Sequence, residues 1–302
     1  MNYRSIIPAA VLLLSVATAP PLEAQEGERF IELVRLLDEG EVVFGSSVPH
    51  RSPEGAAEMV RNPEIDFLFY DMEHRPFDMT QLSVFLQYML DPAQILERGR
   101  PGTEHPVMVR IPVNGREMNQ WIIKNLLDQG VHGIIAPFIE NAEQAENVVR
   151  AMRYAQPQDA ANPNPPGERG AGPGNALRLW GVDRAEYLEL ADPWGLSPRG
   201  ELLNLLLIEN GEGVRNIDEI VQVPGVSVVV PAPGDLGVYY RGDQERVEEA
   251  IQTVLAACLE HDVPCGITAG PDNVLKRVEQ GFRVIIAGGD ALQLGREAAG
   301  RP

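Results

Sequence analysis

The chain has 302 residues, with 25 Lys+Arg against 44 Asp+Glu, a formal net charge of −19, 44% hydrophobic residues and two cysteines. So acidic a chain lacks the basic surface that neutralises phosphates, which disfavours nucleic-acid binding and adhesion to anionic lipid. Disorder is disfavoured as well, because apolar runs recur along the whole length and a chain of roughly 300 residues buries about three quarters of its unfolded surface.

Met1–Ala24 reads as a secretory signal segment: Arg4, then the apolar run Ile6–Ala17, then the small-residue site Leu22-Glu23-Ala24 ahead of Gln25. The run is short for a bilayer span, and nothing later approaches the length a transmembrane helix needs. The expectation is an exported chain, periplasmic or secreted, free of the membrane after cleavage, with one domain over residues 25–302; the alternatives are an uncleaved amino-terminal anchor and, if the segment is not a functional signal, a cytoplasmic chain. Cleavage removes Arg4 and Glu23, one charge of each sign, so the surplus of carboxylates belongs to the folded domain.

From Val42 onward, short runs rich in Val, Ile, Leu and Phe alternate with longer amphipathic stretches, the rhythm of a parallel α/β protein. Strands are predicted at Val42–Val48, Phe67–Met72, Val107–Ile111, Gly133–Phe138, Asn204–Ile208, Val226–Val230, Cys265–Thr268 and Val284–Ala287. Eight strands without strict polar alternation suit a single (β/α)₈ TIM barrel, covered on both faces of its sheet. Helical patterns fall between them, among them Met118–Gln129, Ala142–Arg153, Asn216–Gln222, Gln244–His261 and Asn273–Gln280. Gly130 and Gly281 stand as helix stops. Gln156–Gly174, dense in Pro and Gly, is predicted as a long loop, and Asp91–His105 as an insertion, both bordering the active face. Cys258 and Cys265 are either one disulfide or two buried thiols; with His261 they make three soft ligands without a fourth.

In a barrel of this kind, reactive side chains project from the carboxy-terminal ends of strands. The second strand ends in Asp71-Met72-Glu73-His74, the third in Arg110 and the fifth in Glu209, while the sixth runs into Pro233-Gly234-Asp235. Glu209 and Asp235, on neighbouring strands, are either structural caps or oxygen ligands for Mg²⁺ or Mn²⁺. Arg110 presents a planar fork suited to a carboxylate or enolate oxygen, or to a buried ion pair. His74 has the near-neutral pKa that proton transfer needs. Asp128, closing the helix after the third strand, either caps it or orients the His74 ring.

DFLFYDMEH, VMVRIP, IIKNLLDQG, GIIAPFIENAEQAENVVRAMRY, PPGERGAGPG, LLLIEN and PGDLG occur in that order across about residues 40 to 295. This series resembles the HpcH/HpaI aldolase and citrate lyase family, and is most similar to its class II pyruvate aldolases. The resemblance implies a divalent cation, Mg²⁺ or Mn²⁺ or else Co²⁺, on Glu209 and Asp235, and Arg110 at the keto or enolate oxygen of pyruvate. It further implies His74 paired with Asp128 at the substrate hydroxyl, and the backbone of Pro233, Gly234 and Asp235 facing the pyruvate carboxylate. The implied reaction cleaves a 4-hydroxy-2-oxo acid or 2-keto-3-deoxy sugar acid, and the implied assembly is a homo-oligomer, commonly a hexamer. Oxaloacetate decarboxylation, CoA-ester cleavage and non-catalytic binding of a 2-oxo acid are the alternatives. The sequence departs from close relatives at Leu207, where a Gln is often found, and at Asn210, where a small hydroxyl residue is usual.

Overall fold

A computed structural model of the chain describes residues 29–113 and 115–301, so the predicted signal segment Met1–Ala24 lies outside the described residues. Eight strands form: β1 Val43–Ser47, β2 Phe67–Asp71, β3 Val107–Arg110, β4 Gly133–Ala136, β5 Leu203–Ile208, β6 Val228–Pro231, β7 Gly266–Thr268 and β8 Val284–Ile286. All adjacent pairs are parallel, in the order β6-β5-β4-β3-β2-β1-β8-β7. The ends of this sheet meet at one bridge, Val229 with Cys265, where the Val229 N–H donates to the Pro264 carbonyl at 3.1 Å. The result is a nearly closed α/β barrel of the TIM type.

The strands are where the apolar runs predict them because both of their faces are covered. Every residue of β4 and β5 is buried. Helices pack outside by one apolar stripe: Ile122, Ile123, Leu126 and Leu127 are the buried positions of Gln120–Gln129, which Gly130 ends in the left-handed conformation. Asn141 starts Ala142–Met152 by accepting the Gln144 N–H. Cys258, in Gln244–Glu260, and Cys265 are both buried free thiols.

Two segments sit on a different face from the one expected. Asp91–His105 and Gln156–Gly174 each follow a helix and precede a strand, so the chain has already returned to the amino-terminal face of the barrel. Asp91–His105 contains a short helix, Pro92–Arg98, capped by Asp91. The Pro-rich segment is pinned by Arg153, which forms a buried two-pronged ion pair with Asp192 at 2.7 and 2.9 Å and donates to the carbonyls of Pro165 and Asn162.

The same face carries a buried aromatic stack in which the Trp180 ring lies between Phe30, at 5.7 Å, and His132, at 5.0 Å. His132 Nδ1 accepts the Val107 N–H at 3.2 Å, so the ring must stay neutral, and burial pushes its pKa down to about 3. With a folded pKa below the unfolded value of 6.5, the unfolded chain binds more protons between pH 6.5 and 3. This site's stability is therefore lost as pH falls through that window, by roughly 3–5 kcal/mol at its foot. Glu201, pushed up to about 7 by burial, acts in the opposite sense, so the term is isolated by mutation. His132→Asn should lower the melting temperature at pH 7 yet flatten its decline between pH 6.5 and 3; parallel profiles for parent and variant would remove His132 as the acid-sensitive group.

Candidate active site

At the carboxy-terminal mouth, β2 and β3 place Asp71 and Arg110 as register partners, with both side chains on one face of the sheet. The guanidinium grips Asp71 with two donors, Nε to Oδ1 at 2.8 Å and Nη2 to Oδ2 at 2.8 Å. Its carbon lies 5.1 Å from the centroid of the Phe69 ring. Asp71 Oδ1 also accepts the backbone N–H of Glu73 at 3.0 Å and, weakly, that of His74 at 3.4 Å. One carboxylate thus fixes the arginine and the turn that carries Glu73 and His74. Burial would raise the Asp71 pKa, but the hydrogen bond and charge of Arg110 outweigh it and hold the carboxyl below its usual range.

Glu73 and Glu209 are carboxylates without that compensation. Glu73 Oε2 lies 3.2 Å from Arg110 Nη1 but is not aligned for a hydrogen bond, and among the described residues this buried oxygen has no hydrogen-bond partner. Burial raises its pKa against the charge of Arg110. Glu209, at the end of β5 and 4% exposed, has one donor among the described residues, the Phe138 N–H at 2.7 Å on Oε2. Burial first, then the negative charge of Asp235, pushes Glu209 up to about 8. Leu207, two residues earlier and buried, leaves the wall beneath Glu209 apolar. Asp235 is half-buried in the first turn of the helix Pro233–Tyr239. Asn210 does local work: its Oδ1 accepts the N–H groups of Glu212 and Gly213, and its Nδ2 donates to Glu140 at 2.7 Å.

A buried glutamate beside a half-buried aspartate would suit a divalent cation, since the buried charge is costly until a positive charge joins it. The donor set is oxygen only, from Glu209 and Asp235, with Glu73 in the same field. Two carboxylates of this kind could hold Mg²⁺ or Mn²⁺ only with water or substrate in the remaining positions, since among the described residues no three His, Cys, Asp or Glu side chains are grouped to hold an ion.

Of the residues expected here, Arg110, Glu209 and Asp235 share one electrostatic neighbourhood, and His74 stands at its rim. His74 is exposed, with Nε2 3.5 Å from Glu73 Oε2. The predicted pairing of His74 with Asp128 is not made within the chain. Asp128 closes a helix that runs back against the strands, so it arrives on the amino-terminal face. There its Oδ1 accepts Arg169 Nη2 at 2.8 Å and Nε at 3.2 Å, tying the Pro-rich segment to that helix. Asp71 and Glu73 stand among the predicted strand-end residues but have no predicted role. The alternate spacing of Asp71, Glu73 and the partner arginine across β2 and β3 was the signal that could have found them.

The profile of the HpcH/HpaI aldolase/citrate lyase family matches residues 49–297. The chain is 30% identical over 267 residues to a hydroxypyruvate/pyruvate aldolase of Roseovarius nubinhibens, covering 87% of this chain and 91% of that protein. It is 29% identical over 252 residues to a 4-hydroxy-2-oxo-heptane-1,7-dioate aldolase of Shigella flexneri, covering 80% and 81%. The crystal structure of an HpcH/HpaI aldolase/citrate lyase family protein from Burkholderia cenocepacia superposes with a TM-score of 0.69 at 26% identity, covering 88% of this chain and 95% of that one. With the match running through every strand from β2 to β8, the chain belongs to the HpcH/HpaI aldolase/citrate lyase family.

Proposed function

We propose that the protein is a divalent-metal-dependent carbon–carbon lyase, a class II aldolase that cleaves a 4-hydroxy-2-oxo acid or a 2-keto-3-deoxy sugar acid to pyruvate, or a related 2-oxo acid, and an aldehyde. The observation that carries this reading is Arg110, locked by Asp71 in the field of Glu209, which Asp235 in turn adjoins, at the mouth of a barrel whose relatives are named aldolases. A cation on Glu209 and Asp235 would act as a Lewis acid toward the 2-oxo acid end of the substrate.

The side chains supply the rest. Breaking the bond beside a carbinol leaves negative charge on the former keto oxygen. A guanidinium already held by a two-pronged ion pair meets that charge without reorganising. Asp71 keeps Arg110 in place, so the Nη1 edge is the part available to substrate. The substrate hydroxyl must lose its proton as the bond breaks, and His74 Nε2, exposed at the rim, takes it. The N–H groups of Gly234 and Asp235, in the first turn of Pro233–Tyr239, have no acceptor inside the helix and receive the substrate carboxylate.

The test is pyruvate release by purified protein from a panel of 4-hydroxy-2-oxo acids, 2-keto-3-deoxy sugar acids and oxaloacetate, with Mg²⁺, Mn²⁺ or Co²⁺. Aldol substrates should turn over, chelation should stop them and added metal should restore them. Turnover of oxaloacetate alone would replace the aldolase reading with a decarboxylase, and no turnover of any substrate would end it.

A further inference from the structure

Beside the Arg110 site, between the segments that follow β1 and β2, lies a cleft of about 480 Å³. Its wall includes His50, Arg51, Ser52, Arg75 and Gln81, and among the described residues none of those lining it is acidic. In a chain where acids outnumber bases 44 to 25, a cleft lined this way concentrates positive charge against the average of the surface.

Arg51 is the unusual member. It is 9% exposed, its guanidinium carbon lies 4.5 Å from the Tyr70 ring centroid, and its Nη1 donates to the Pro76 carbonyl at 3.2 Å. Among the described residues Nε and Nη2 are buried without an aligned hydrogen-bond partner, although the unmatched Tyr70 hydroxyl belongs to the ring the guanidinium lies against. Asp78, the carboxylate whose charge reaches Tyr70, already accepts the Gln81 N–H at 2.9 Å. A buried guanidinium with most of its donors unmatched is costly, and an acceptor oxygen with negative charge would offset that cost. Arg75 stands exposed at the rim, next to His74, where it would draw an anion inward.

We propose that this cleft is an oxyanion-binding site, which takes the carboxylate or phosphate group of a small ligand between Arg51 and Arg75. The group belongs either to a free anion or to the far end of a molecule whose other end occupies the Arg110 site. Only the second source rests on the aldolase reading.

Calorimetric titration of the full chain at low salt, with inorganic phosphate and separately with succinate, tests the site itself. At least one of the two should bind saturably, one per chain, and Arg75→Glu and Arg51→Gln should each weaken it at least tenfold. Arg75 is exposed, so its variant decides the matter if Arg51→Gln fails to fold. Lack of saturable binding by both anions, or an Arg75→Glu protein that binds as the parent does, overturns the site. The source is read from KM. A rise in Arg75→Glu confined to substrates whose aldehyde portion carries a carboxylate assigns the anion to substrate, whereas lost phosphate binding with unchanged KM assigns it to a free ligand. If no substrate turns over at all, the aldolase reading fails while the titrations still decide the site.

Discussion

Glu209→Gln is expected to abolish turnover and, in metal-free buffer at pH 8, to make the protein melt at a higher temperature than the parent. The first effect follows from the ligand's role: losing several kcal/mol of charge stabilisation lowers the rate by about 10²–10³-fold or more. The second follows from burial. Glu209 is 4% exposed and pushed up to about 8 by desolvation and then by Asp235. With a folded pKa above the unfolded 4.5, the folded state holds the proton more tightly, so the metal-free protein loses stability as pH rises from 4.5 through 8. At the top of that window the penalty is roughly 2–4 kcal/mol. Glutamine keeps an oxygen for the Phe138 N–H and turns an N–H₂ toward Asp235, so the penalty disappears with the charge. The gain at pH 8 is about 5 °C or more, and at pH 5 close to nothing. Metal should reverse the comparison, stabilising the parent more at pH 8 than at pH 5, because the ligand must be deprotonated to bind. Differential scanning calorimetry at the two pH values, with and without Mg²⁺, measures all four numbers. A variant that keeps parental turnover, or that melts lower at both pH values, would falsify the assignment of Glu209 as the strained ligand.

The same burial explains what could be read from the sequence. Strands covered on both faces must be continuously apolar, and all eight runs became strands, with ends shifted by a residue or two: β5 begins at Leu203 and β6 at Val228. Short helices were harder. Pro92–Arg98 spans seven residues inside a segment rich in Pro and Gly, too few to display a helical period. The position of Arg110, Glu209 and Asp235 at the mouth was legible because charged residues that end or closely follow an apolar run in a parallel barrel stand at its carboxy-terminal end. Asp71 and Glu73 end the same run, but whether a strand-end carboxylate caps a turn or holds an arginine depends on the partner strand, which the linear sequence does not display. Asp71 does both. Asp128 shows the opposite failure. At the end of the helix after β3 it could either cap that helix or orient the His74 ring, and the antiparallel run of the helix carried it to the other end of the barrel, where Arg169 takes it.

Gly115→Ala, a substitution that touches neither a metal ligand nor a proton carrier, is expected to weaken metal binding at least tenfold and to cut kcat/KM by about 10²-fold, the scale of a misplaced catalytic group. Glu209 depends on one N–H, that of Phe138, and Phe138 delivers it only because its φ is 54°, in the left-handed region. For a bulky residue that conformation costs on the order of 1–2 kcal/mol, so something must hold it. Gly115 does. Its N–H donates to the Pro137 carbonyl at 3.2 Å, and a Cβ added there would lie 1.7 Å from the Phe138 carbonyl oxygen and 2.7 Å from its carbon. From the other side, the Ile139 N–H reaches the Leu207 carbonyl at 3.1 Å, so the peptide has no room to yield without moving β5. Alanine must therefore push the Phe138 peptide away, and the Glu209 carboxylate loses the donor that aims it. Stability should also fall, by about 1–3 kcal/mol as overpacked sites do. Phe138→Gly separates positioning from packing, because glycine adopts the left-handed region freely and keeps the N–H. It should retain metal affinity within about threefold even though it surrenders the ring that lies 5.6 Å from the Arg116 guanidinium carbon. Calorimetric Mn²⁺ titrations of the two variants decide it: parental affinity in Gly115→Ala, or equal losses in both, would show that the strained peptide does not position Glu209.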